Sequence, residues 1–120
     1  MKISPKDFRK ARKILGLTQK QAGNVLGNVS PGQIGYWERS PEDKLPTIRD
    51  LDSNAIEQFI QLAEFLVDFF PDKAERERFL RNPKLPLRGK PLSEAIMYDP
   101  PRGLQEAVHF FGRLAHGIPT

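Results

Sequence analysis

The chain holds two histidines, His109 and His116, and no cysteine. Seven residues separate the two imidazoles on what reads as one helix, and without a thiolate they make a poor metal pair. The absence of cysteine also excludes a disulfide scaffold, a thiolate zinc site and a thiol nucleophile, and it fits a reducing compartment. No Ser-His-Asp order, phosphate-binding glycine loop or dinucleotide fingerprint is present. Glu75 and Glu77 lie among cations and read as a solvated face. The expectation is a protein that is not an enzyme, with no catalytic residue, no metal and no cofactor.

The chemistry that remains is charge. Nineteen Lys and Arg against fifteen Asp and Glu give a formal net charge of +4, unevenly spread. Residues 1–50 hold ten cations and five anions, and residues 51–120 hold nine and ten. Lys2, Lys6, Arg9, Lys10, Arg12, Lys13 and Lys20 all fall within the first twenty residues. Such a cluster fits a polyanionic partner, and a solvated helix face accounts for it equally well. No cation lies between Arg49 and Lys73, after which Lys73, Arg76, Arg78, Arg81, Lys84, Arg88 and Lys90 follow in close order.

These side chains must be held by helices. With 120 residues, 38% hydrophobic and eight of them Phe, the chain is long enough for one domain, or for two small ones sharing a core. Ser4-Pro5-Lys6-Asp7 is a helix start, with a hydroxyl cap and proline at the first position. Phe8, Ala11, Ile14 and Leu15 then recur at helical spacing up to Gly16. Thr18-Gln19-Lys20-Gln21 has the form of a capping box and opens a second short helix, with Ala22, Val25 and Leu26 apolar. Ser30-Pro31 starts a third, carrying Ile34 and Trp37.

Residues 40–51 are rich in turn formers. A long helix then runs from about residues 52–54 to Phe70, its stripe of Ile56, Phe59, Ile60, Ala63, Leu66, Val67 and Phe70 widened by Leu62, Phe65 and Phe69. That width predicts a helix buried on two sides, at the centre of the fold or at a dimer interface formed by Leu62, Phe65 and Phe69. Short helices are predicted over 74–80, 93–97 and 104–116, with a loop over 83–90. No strand-period alternation is evident, so the predicted fold class is all-α, divided as residues 1–50 and 51–120. No apolar run approaches the ~20 residues of a membrane span, and the N-terminus has no signal-like stretch, so a soluble cytoplasmic protein is expected.

The segment from Phe8 to Arg39 resembles the helix-turn-helix of Xre and Cro-type repressors. The matching residues are Gly16-Leu17-Thr18-Gln19, Gly23, Leu26-Gly27, Val29-Ser30, Ile34 and Trp37-Glu38-Arg39. The resemblance implies that Thr18 and Gln19 abut the DNA backbone. Ser30 then caps a recognition helix whose Pro31, Gly32, Gln33 and Tyr36 face the major groove. A Gln amide can pair bidentately with adenine, which makes Gln33 the base-reading candidate. Tyr36, Arg39 and Lys20 are phosphate candidates. Arg12 and Glu38 are expected to pair internally, as in related domains. Two features depart from the family pattern: Asn28 adds a residue before Val29, and Ser30-Pro31-Gly32-Gln33-Ile34-Gly35-Tyr36 carries two glycines and no cation.

The second half resembles the C-terminal region of the MbcA/ParS/Xre antitoxin family. The similarity rests on Arg78-Phe79-Leu80-Arg81-Asn82-Pro83, on Pro86-Leu87-Arg88-Gly89-Lys90-Pro91-Leu92 and on Gly112-Arg113-Leu114-Ala115-His116-Gly117, with Phe79 where the family commonly has Trp. Together the two resemblances imply the antitoxin of a bacterial type II pair. Such a protein would block a RES-type toxin that consumes NAD or transfers ADP-ribose from it, and would repress its own operon. Carried over by position, the toxin-facing candidates are Arg81, Lys84, Arg88, Gly89, Lys90, Arg113, His116, Gly117, Ile118, Pro119 and Thr120. Operator half-sites imply a homodimer, or a higher assembly with the toxin. Two other readings stay open: a stand-alone helix-turn-helix regulator, and a dimeric interaction module whose DNA-binding motif is vestigial.

Overall fold

The computed structural model describes residues 4–27, 29–39, 50–84, 87 and 89–115, with side chains for all of these except 50–53, 83 and 84. The elements are α1 (Pro5–Ile14), α2 (Gln19–Val25), α3 (Pro31–Arg39), α4 (Asp50–Phe69) and α5 (Lys73–Arg81). After them come β1 (Pro83–Lys84), β2 (Lys90–Pro91), α6 (Leu92–Ala95) and α7 (Arg102–Ala115). The all-α class holds. No helix among the described residues is long and apolar enough to cross a membrane.

Helix starts follow local chemistry. The Ser4 Oγ accepts from the Asp7 N–H at 3.1 Å at the head of α1. Asp72 does the same for Glu75 at the head of α5, also at 3.1 Å. The two-residue strands amend the predicted loop over 83–90: its ends pair antiparallel, Pro83 with Pro91 and Lys84 with Lys90. Leu87, inside that loop, is buried. The Ser93 Oγ donates to the Leu80 carbonyl at 3.2 Å, tying the start of α6 to the end of α5.

α4 is the central element, with α1 on one side and α7 on the other. Phe8 of α1 joins α3 and α4: its ring stands edge-on to Trp37 at 5.9 Å and stacks on Phe59 at 5.2 Å. Phe111 plays that part at the other end, with Phe65, Phe69 and Phe79 at 6.0, 5.7 and 5.6 Å. Burying each such ring stabilises the fold by about 1.5–3 kcal/mol. Most of the broad stripe of α4 is therefore covered within one chain, while Val67 and Phe69 stay partly exposed. Leu62 has no exposed surface and Phe65 packs on α7. Of the three residues expected at a dimer interface, Phe69 alone keeps substantial exposure, at 39%.

Candidate nucleic-acid interface

The turn between α2 and α3 is built by close approach. The Val29 N–H donates to the Gly23 carbonyl at 3.0 Å, and a Cβ on Gly23 would collide with the Val29 carbonyl oxygen. Only glycine lets the α2 backbone sit this near the start of α3. Gly27, at φ +101°, supplies the left-handed step that leads out of α2. Asn28 lies outside the described residues.

At the head of α2 both halves of the capping box are made. The Thr18 Oγ1 accepts from the Gln21 N–H at 3.1 Å, and the Thr18 N–H donates to Gln21 Oε1 at 2.9 Å. Thr18 and Lys20 are exposed. Gln19 is half-buried and turned inward, its Nε2 donating to Glu38 Oε1 at 3.4 Å. At the head of α3 the Ser30 Oγ accepts from the Gln33 N–H at 3.1 Å.

Ile34, Gly35 and Trp37 take the inner face of α3. Gly32, Gln33, Tyr36 and Arg39 fall at helical spacing on the outer face, and all four are exposed, as are Ser30 and Pro31. Tyr36, at 56% exposure, is the most exposed large apolar side chain described. The strip thus offers one amide, one phenol and one guanidinium, enough to touch a base edge and neighbouring phosphates. Gly35 is a determinant that the family pattern does not single out. A Cβ there would lie 2.9 Å from an Arg39 Nη1 and 3.5 Å from Gln19 Oε1, so its absence lets both side chains cross the helix. The only trace of this in the sequence is a glycine inside a helical pattern.

Behind this face Arg12 and Glu38 form a bidentate pair. Nε and Nη2 of Arg12 donate to Oε2 and Oε1 of Glu38 at 2.6 and 2.9 Å. A third arm, Nη1, donates to the Leu17 carbonyl at 3.0 Å. The side chains are only 13% and 4% exposed, so Arg12 is a strut between α1 and α3. Its pKa is raised above the ordinary value, first by the hydrogen bond to Glu38, with burial opposing and the charge of Glu38 assisting.

The second candidate set is more scattered. Arg81, Gly89, Lys90 and Arg113 are exposed. The backbones of Lys84 and Lys90 are register partners, which brings two of the cations onto one hairpin. Arg88, His116, Gly117, Ile118, Pro119 and Thr120 lie outside the described residues. His109 is exposed on α7. Among the described residues no three His, Cys, Asp or Glu side chains come together to hold a metal.

No family model matches the sequence, and no curated protein does. Among solved structures, the chain is similar to a chain of the crystal structure of the M. tuberculosis MbcT–MbcA toxin–antitoxin complex. The likeness covers 97% of this chain and 96% of that one, at a TM-score of 0.62 and 15% sequence identity. At that identity it is a likeness of fold.

Proposed function

We propose that this chain is the antitoxin of a type II toxin–antitoxin pair, which binds and blocks a RES-type toxin and represses its own operon through α2 and α3. The observation that carries the proposal is the fold it shares, over nearly its whole length, with a chain of a toxin–antitoxin complex. Two further features support it. The helix-turn-helix resemblance falls on α1 to α3, whose outer strip of Gln33, Tyr36 and Arg39 is exposed, and the antitoxin-like resemblance falls on α5 to α7.

In this reading Thr18, Lys20, Tyr36 and Arg39 hold phosphates and Gln33 reads a base. Gln19, hydrogen-bonded to Glu38, orients α3 from behind. Two copies engage two half-sites. The hairpin cations Lys84 and Lys90, with Arg81, Arg88, Gly89, Arg113 and the tail from His116 to Thr120, face the toxin. The protein acts in the cytoplasm and needs no cofactor.

Co-expression with the neighbouring gene product tests the proposal. The expected result is a complex that survives purification and a toxin activity relieved by this chain. A neighbour that is harmless alone and does not co-purify would refute the toxin half. For the DNA half, a promoter fragment should bind with an affinity that falls as salt rises, because phosphate contacts release counterions. No binding, or binding indifferent to salt, would refute that half.

A further inference from the structure

We propose a second anion-binding site, on a face of the protein other than α3, that takes the phosphodiester backbone of nucleic acid without reading its sequence. Lys6, Arg9, Lys10 and Lys13 of α1 meet Lys73 and Arg76 of α5 around a groove of about 470 Å³. Ile14 supplies its apolar lining, and among the described residues no carboxylate lines it. The α1 residues that line the groove run from Arg9, about 60° around the helix from Arg12, to Lys10 and Ile14, about 160° from it. Arg12 points to α3 and Glu38, so the groove opens on the other side of α1. The inference does not depend on base reading by α3.

The arrangement is unfavourable to the chain by itself. Lys6 with Lys10 and Arg9 with Lys13 are like-charge pairs four residues apart, a spacing at which such pairs weaken a helix. Lys6 also sits in the first turn, at the positive end of the helix dipole. An anionic ligand relieves both penalties. Among the described residues no aromatic ring and no neutral hydrogen-bonding side chain lines the groove, so its described polar contacts are all cationic. Lysines bind phosphate as point charges, without the fixed fork geometry of arginine, which suits a contact that reads no sequence. One of the two arginines is already engaged, Arg76 Nη1 donating to the Phe70 and Pro71 carbonyls at 3.0 and 3.4 Å. From Lys6 to Lys13 α1 rises about 10 Å, long enough for its cations to meet more than one anionic group. A row of cations with no carboxylate among its described lining suits a phosphate backbone, which presents regularly repeated negative charge.

The test is fluorescence anisotropy with a duplex of random sequence over a salt series, using the full chain, with a thermal melt to confirm that each variant is folded. The wild type should bind. K6Q/K10Q should weaken binding about tenfold or more near 0.1 M salt and lower the log–log salt slope by about 1.8, two phosphate contacts' worth. K73Q, on the other wall, should lower the slope by about 0.9, which keeps the test decisive if the α1 variant fails to fold. Q33A, which removes the base-reading amide and no phosphate contact, should leave random-duplex binding nearly intact. Wild type that ignores the duplex, or lysine variants that bind like wild type, would overturn the proposal. So would poly-glutamate of matched charge displacing the duplex as well as competitor DNA does, because the groove would then be an acidic-protein site. If the lysine variants weaken binding while Q33A changes nothing even on the promoter, the groove stands and base reading by α3 falls. The converse pattern sinks the groove alone.

Discussion

Replacing Glu38 with alanine removes the partner of a buried guanidinium. The loss comprises two charge-assisted hydrogen bonds to Arg12, at 2.6 and 2.9 Å, and the weaker bond from Gln19. Breaking one side of a buried ion pair ordinarily costs ~3–5 kcal/mol. Arg12 keeps the Leu17 carbonyl and is 13% exposed, so water relieves part of the penalty and the lower end applies, about 3 kcal/mol. In a chain of this size that is a fall in melting temperature of roughly 12 °C. Arg12→Met with Glu38→Leu removes both charges and leaves mainly the Leu17 carbonyl without its donor, a cost of about 1 kcal/mol. The assay is thermal or urea unfolding of the single and double variants. Arg12–Glu38 is not a strut if Glu38→Ala melts within about 4 °C of wild type, or if the double variant is no more stable than the single. Arg12 brings no pH dependence to this measurement. Its pKa is raised, chiefly by the Glu38 hydrogen bond, so its contribution is complete at working pH and disappears only in strong alkali.

Three other perturbations follow from the packing. Gly23→Ala places a Cβ against the Val29 carbonyl, a backbone group with no room to move, and should cost about 1–3 kcal/mol in urea unfolding. Gly32→Ala meets nothing nearer than the Ser30 Oγ at 3.9 Å and should stabilise the fold by about 1 kcal/mol, measured in the same way. If that variant gains stability yet loses promoter affinity, the open space over Gly32 is where DNA approaches α3. Phe111→Ala empties the junction of α4, α5 and α7 and should cost ~3–5 kcal/mol by thermal melt.

Much of this architecture was legible because helix signals are local. Ser4-Pro5, the Thr18 capping box and Pro71 lie within four residues of the boundaries they mark, and α1, α2 and the end of α4 fall where those signals put them. The start of α4 at Asp50, two to four residues early, has no such local marker. The β1–β2 pair was not legible, since two-residue strands are too short to show a period. The width of the α4 stripe was legible but its use was not. Phe65 and Phe69 are matched by Phe111, more than forty residues away, and nothing in a single periodic stripe distinguishes an internal partner from a second copy.

Charge shows the same limit more sharply. In the sequence, the cations of residues 1–20 and those of residues 73–90 are two clusters separated by an acidic helix, which invites two partners, DNA for the first and protein for the second. Folding redistributes them. α4 packs on α1, and Lys73 and Arg76 of α5 join Lys6, Arg9, Lys10 and Lys13 in one groove, while Arg12 is withdrawn into the interior by Glu38. The recognition helix keeps a single cation, Arg39. An α3 so poor in positive charge can discriminate between bases but draws little affinity from phosphate, because backbone affinity scales with the number of cations engaged. If the groove holds a phosphate backbone, affinity and specificity sit on opposite sides of α1. Substitutions at Lys6 and Lys10 would then move binding to all sequences together, and substitutions at Gln33 would move one sequence relative to another.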